Sequence, residues 1–153
     1  MTLTNRDYVL ETMRQYGTSV AKEIQAAAGE MTGTELYEKE DFIPDFRAAC
    51  AKKNMLQRSA GFTCRSTAGR VVQLLQPYDS TIYTQEPEEL PAQWGFKWSK
   101  DPKKALPFIA ISTSPYDAGD CCTENGSVYI SLIDFNVYAP SAYPDGWKKY
   151  EEA

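Results

Sequence analysis

Apolar residues recur at Val9, Met13, Tyr16, Val20, Ile24 and Ala27, in steps of three and four. This is the period of one face of an α-helix, so the pattern predicts a helix over residues 5–28. Thr4 and Asp7 suit a capping box at its start. Gly29 stands where a helix commonly stops. Gly17 weakens the middle by about 1 kcal/mol relative to alanine. The stripe has two readings, which stay open. It is either the buried face of an ordinary amphipathic helix or an oligomerisation seam of the coiled-coil kind.

Residues 30–34 are polar and predict a linker, followed by a short helix over 35–40. Pro44 suits the first turn of a further helix over 45–53. There Phe46, Ala49 and Cys50 would face inward, with Asn54 as terminator. From Gly61 the texture changes to short β-prone runs. Residues 62–65 and 71–75 flank a Ser-Thr-Ala-Gly turn. Residues 77–80 predict a turn, 86–91 an acidic loop, 94–98 an aromatic cluster, 101–107 a connector and 108–112 a short β run. The fold class expected is α+β. The expected organisation is a helical region over 1–58, a degenerate β-hairpin unit over 59–107, and a second β unit over 108–153.

The two β parts resemble each other. Placing Gly61 on Gly119 sets Cys64 against Cys122. With one extra residue in the first loop, Gly69 falls on Gly126 and Val71-Val72 on Val128-Tyr129. Leu74 is set against Leu132, and each copy later reaches a tryptophan, Trp94 or Trp147. The pattern predicts two related hairpin units.

The second copy carries the more specific motif. Tyr116, Gly119-Asp120, Asn125-Gly126, Val128-Tyr129, Asn136, Pro140 and Trp147 form a skeleton. It runs Y-x-x-G-D, a polar turn with glycine, V-Y, then N, P and W. This resembles the small chitin-binding-type carbohydrate-binding modules of families 5 and 12. The versions in tail-associated proteins of phages and prophages of Gram-positive bacteria are more similar still. The resemblance implies that Tyr129 and Trp147 hold a mini-sheet together. It also implies that the chain contacts a polysaccharide, the cell-wall or surface glycan of a host. Relatives carry adjacent aromatics just after the strand holding Tyr129, where this chain has Ile133 and Asp134. The chitin platform is therefore absent or displaced. Candidates for a displaced platform are Phe135, Tyr138 and Tyr143, with Asp134 and Asn136 beside them for sugar hydroxyls; the same aromatics equally suit a core or a subunit interface. Trp94 and Trp98 are the fallback.

Composition narrows the rest. The chain has 153 residues, a net charge of −5 and no histidine. No basic stripe invites nucleic acid. No apolar run is long enough to span a membrane. Without histidine, Ser-His and Cys-His nucleophile pairs, histidine metal ligands and the usual proton shuttle are all missing. The acidic residues Glu35, Glu38, Glu40, Asp41, Asp45, Glu86, Glu88 and Glu89 show no spacing that selects an acid–base pair, and solvated faces explain them. Cys50, Cys64, Cys121 and Cys122 form no C-x-x-C knuckle and suit small buried apolar positions. The N-terminus lacks a signal-peptide core, which predicts synthesis in a bacterial cytoplasm with reduced thiols.

The expectation is therefore a non-enzymatic phage or prophage tail protein without cofactor or metal, located in the virion. It would be fibre- or baseplate-associated, homo-oligomeric, and joined to other virion tail proteins. The alternatives are a purely structural tail assembly protein and an accessory part of a cell-wall hydrolase.

Overall fold

The computed structural model describes residues 5–151. The architecture is α+β: a helical lead followed by two small sheets. Helix α1 spans Asn5–Ala27 and ends in a 3-10 turn, Ala28–Glu30. Its expected cap, Thr4, lies outside the described residues. Only its C-terminal end is buried. Ile24 and the following Ala28 pack with Leu36, Tyr37, Ile43 and Val71, and Val20 lies against them. Tyr8, Val9, Leu10, Met13 and Tyr16 are exposed. Gln25 fixes the docked end, because its side-chain amide bonds both N–H and C=O of Thr63 at a strand edge.

Helix α2 covers Gly33–Glu38, two residues ahead of the expected start. The reason is a capping box. Thr32 Oγ1 accepts from the Glu35 N–H at 3.1 Å, and Glu35 Oε1 accepts from the Thr32 N–H at 3.1 Å. The first turn then presses backbone on backbone. A Cβ on Gly33 would stand 2.0 Å from the Trp98 carbonyl oxygen, so only glycine fits. Helix α3, Phe46–Lys52, is capped by Asp45, whose Oδ2 accepts from the Ala48 N–H at 3.0 Å. Pro44 thus precedes the cap instead of occupying the first turn. Asn54 caps a 3-10 turn over Met55–Gln57.

Strands β1 (Thr63–Arg65), β2 (Val71–Leu74) and β3 (Trp94–Phe96) form an antiparallel sheet. Strands β4 (Leu106–Pro107), β5 (Cys121–Glu124), β6 (Ser127–Ser131) and β7 (Trp147–Lys149) form a second, in that order, with β4 parallel to β5. The β run expected over 108–112 is instead this two-residue strand just before it. The Phe108 N–H still bonds Thr123 O at 2.9 Å, after which the chain turns away and Ser114 bonds back to Ile111. Phe108 leaves because its ring enters the core, stacked 5.3 Å from Tyr116.

The duplication extends to individual bonds. Cys64 pairs with Val72 as Cys122 pairs with Tyr129, and Trp94 faces Leu74 as Trp147 faces Ser131. Gly61 N–H bonds Leu74 O at 2.7 Å, and Gly119 N–H bonds Ser131 O at 2.8 Å. Leu75 bonds Gln93 at 2.7 Å, and Leu132 bonds Gly146 at 2.8 Å. Lys97 reaches back to Val71, and Tyr150 to Val128. Even the parallel neighbour recurs, with Asp45 bridging Arg65 as Pro107 pairs with Thr123. Edge-on aromatic pairs match too: Phe46 on Trp94 at 5.7 Å, Phe108 on Trp147 at 6.0 Å. This register corrects one equivalence. Leu74 corresponds to Ser131, both buried, whereas Leu75 corresponds to Leu132, both half-exposed.

A single core cluster draws on both units and includes Trp94, Phe96, Trp98, Tyr116, Cys122 and Trp147. Arg70 ties the units from within. Its guanidinium bonds Pro107 O at 2.7 Å and pairs with Glu88 at 3.3 Å. Tyr37 ties α2 to the first sheet. Its hydroxyl donates to Lys97 O and accepts from the Val71 N–H, and burial pushes its pKa up to about 12.

Candidate functional site

The loop between β6 and β7 carries Asp134, Phe135, Asn136, Tyr138 and Tyr143, the residues expected to contact a glycan. It opens at Leu132 and closes where Gly146 O accepts the Leu132 N–H. Two anchors hold its first half. Asn136 exchanges both backbone bonds with Tyr116, at 2.7 and 2.9 Å. Asp117 Oδ1 accepts from the Phe135 N–H at 3.1 Å, and Asp134 Oδ1 accepts from the Ala118 N–H at 3.0 Å. Behind this staple lies Asp120, buried in the turn. It accepts from the Asp117 N–H at 2.8 Å and pairs with Lys100 at 3.2 Å. Burial raises its pKa, against the lowering effects of the Asp117 amide and Lys100.

The side chains in this loop divide sharply. Phe135 has φ of +56°, which turns its ring outward, and it is 79% exposed. Tyr138 is 59% exposed, with its carbonyl held by the Trp147 indole N–H at 2.8 Å. Tyr143 is 38% exposed and meets Tyr138 edge-on, centroids 6.0 Å apart. One part of the Tyr143 ring covers Gly146, where a Cβ would approach within 2.8 Å. Leu132 and Ile133, at the start of the same loop, are also exposed. Asp134 is exposed, with one carboxylate oxygen used by Ala118.

Asn136 leaves the surface set. It is fully buried. Its Nδ2 donates to Ser131 Oγ and Gly146 O, both at 3.1 Å, and its Oδ1 accepts from the Tyr138 N–H at 3.3 Å. All of its polar capacity goes to shaping the loop that presents the rings. The fallback platform is also corrected. Trp94 and Trp98 are buried, with indole N–H groups bonded to Tyr78 Oη and Ser114 O. Tyr129 is partly buried against the core, and Trp147 lies within it.

All four cysteines are free thiols. Cys64, Cys121 and Cys122 are buried, and Cys50 is half-buried. Burial pushes Cys121 up to about 11 and Cys122 up to about 12, so both are neutral at physiological pH. Among the described residues, no group of three or more His, Cys, Asp or Glu is placed to hold a metal ion. Among the described residues, no helix is long and apolar enough to cross a membrane.

The loop exposes the rings of Phe135, Tyr138 and Tyr143 and the Asp134 carboxylate, and brings Tyr138 and Tyr143 into contact with each other. Sequence reasoning missed the corresponding loop of the first unit, where Ile82 and Tyr83 are exposed. The duplication was the available signal, since it places that loop between β2 and β3 as this one lies between β6 and β7. No family model matches the chain, and neither a curated protein nor a solved structure matches it.

Proposed function

We propose that the chain is a non-catalytic glycan-binding protein of a phage or prophage tail, associated with a fibre or baseplate. Its C-terminal β unit contacts cell-wall or surface glycan of a Gram-positive host. The observation that carries the binding half is the outward display of Phe135, Tyr138 and Tyr143 on a loop whose backbone is held at both ends. Sugar rings present C–H faces to such side chains, and the phenols and the exposed Asp134 of the same loop offer groups to meet hydroxyls. Rigid presentation matters because less ordering remains to be done on binding. The tail context rests on the resemblance of the Tyr116–Trp147 skeleton to tail-associated modules. The exposed stripe of α1 suits self-association and attachment to other tail proteins.

A second reading, a scaffold without glycan binding, is favoured by Leu132 and Ile133, exposed in the same loop. A protein seam covers aliphatic side chains as readily as aromatic ones. Pull-down on purified Gram-positive walls separates the two. Phe135→Ala and Tyr138→Ala should each weaken binding by about 1–3 kcal/mol, the worth of a well-buried aromatic contact. Melting temperature should barely move. Unchanged binding in both variants removes this loop from the reading, and no binding by the intact protein favours the scaffold.

A further inference from the structure

We propose that the first β unit holds a second saccharide site, built on the loop between β2 and β3. It rests on the glycan-binding reading above. The two loops leave corresponding strands, and each begins with a half-exposed leucine, Leu75 or Leu132. Each then turns on an equivalent side chain: Asp79 Oδ1 accepts from the Thr81 N–H as Asn136 Oδ1 accepts from the Tyr138 N–H. Each displays apolar side chains beyond that turn, Ile82 and Tyr83 in the first and Tyr138 and Tyr143 in the second.

The first loop has a further feature. Beside Tyr83 lies a cavity of about 240 Å³, lined also by Phe46, Arg47, Cys50, Ser80, Thr84 and Glu86. Its size suits a single sugar ring, not an extended ligand. Its chemistry is that of saccharide recognition. Tyr83, 52% exposed, is part of the lining and brings an aromatic ring. Thr84 brings a hydroxyl and Arg47 a fork of donors, while the Ser80 hydroxyl is engaged by Asn54 Oδ1 at 3.3 Å and the Met55 N–H at 3.1 Å.

Glu86 supplies the acceptor. Its Oε1 is used by the Thr67 N–H at 2.9 Å. Its Oε2 is buried and forms no hydrogen bond, although Arg47 Nε stands 3.1 Å away in an ion pair. The Arg47 side chain is 72% exposed, and its Nε also donates to Thr67 Oγ1 at 3.2 Å; swinging aside breaks both contacts and releases Oε2 to a sugar hydroxyl. A carboxylate and a guanidinium bonding neighbouring hydroxyls, beside an aromatic ring, fix the orientation of one pyranose. The chain is then bivalent. Two weak sites on one rigid body hold a polymer of repeating sugars more tightly than either alone.

The test is calorimetric titration of the full chain with the single disaccharide units that muramidase releases from Gram-positive walls, each occupying one site at a time. Stoichiometry counts sites per chain whatever the oligomeric state. Two sites per chain are expected. Tyr83→Ala should remove one of them, Tyr138→Ala the other, and the double variant both. Glu86→Gln keeps an acceptor for Thr67 and should weaken one site on the order of tenfold, leaving the other unchanged. One site per chain, insensitive to Tyr83→Ala and Glu86→Gln, overturns the second site and leaves the C-terminal one standing. Two sites that both survive Tyr83→Ala and Glu86→Gln also overturn it. No binding by the intact chain overturns both.

Discussion

Asn136 has the residue type of a sugar ligand and the burial of a structural hub, and a single substitution separates the two roles. In Asn136→Ala the side chain's three hydrogen bonds vanish, to Ser131 Oγ, Gly146 O and the Tyr138 N–H. Each such bond is worth about 0.5–1.5 kcal/mol net. Two of the partners keep other bonds, because Ser131 Oγ donates to Ile133 O and Gly146 O accepts from the Leu132 N–H. Only the Tyr138 N–H is left stranded. The total loss is then about 2–3 kcal/mol. For a chain of this size that lowers Tm by roughly 5–10 °C. Urea unfolding monitored by tryptophan fluorescence gives the free energy, and calorimetry gives Tm. Asp134→Ala is the control, since its carboxylate is exposed and serves one loop amide. If Asn136→Ala leaves Tm within a degree of the parent while wall binding falls, the hub argument is wrong and Asn136 belongs to the ligand surface.

Trp94→Ala and Trp147→Ala should each cost about 3–5 kcal/mol in urea unfolding, because both tryptophans occupy the same buried place in the two units; a cost below 1 kcal/mol at either would break the equivalence. Stability should fall as pH rises above about 9. Cys121 is pushed up to about 11 and Cys122 to about 12 by burial, so their stabilising effect is complete below the ordinary thiol pKa and is lost as pH climbs through those values. A denaturation midpoint flat from pH 8 to about 11 would contradict this. Finally, equilibrium sedimentation at tens of micromolar should show an oligomer, and Met13→Lys with Tyr16→Lys should dissociate it. A monomeric parent would leave the α1 stripe without this role.

The parts legible in the sequence were those set by local chemistry. The three-and-four spacing marked α1, Asn125-Gly126 marked the β5–β6 turn with both residues at positive φ, and the paired glycines marked the duplication. The spacing could not say that Val9, Met13 and Tyr16 stay exposed while Ile24 is buried, because that depends on where the body lies along the helix. The capping box of Thr32 and Glu35 straddles the boundary between the polar run of 30–34 and the short helix expected from 35, so composition alone places the helix start two residues late. In the β6–β7 loop, Phe135 and Asn136 are adjacent with opposite fates. Hydrophobicity would bury the phenylalanine and expose the asparagine. A positive φ at Phe135 and the two-bond pairing of Asn136 with Tyr116 reverse that order. The cavity beside Tyr83 joins α3 to a loop more than thirty residues later, a juxtaposition only the fold creates.

The near-identity of the two sheets also bears on how the chain reaches its native state. Each Trp-bearing strand has two hairpins it could join, and the backbone bonds would be much the same in either. What discriminates is the third residue of each strand. Phe96 is buried opposite Val72, whereas Lys149 is exposed opposite Tyr129. Exchanging β3 and β7 would drive a lysine ammonium into the core and leave a phenylalanine in water. That mismatch is a steep barrier to mispairing within one chain and to strand exchange between neighbouring copies, the characteristic failure of duplicated folds. Divergence between the units thus guards the order of assembly, and a Lys149→Phe change that relaxes it should show itself as swapped dimers during refolding.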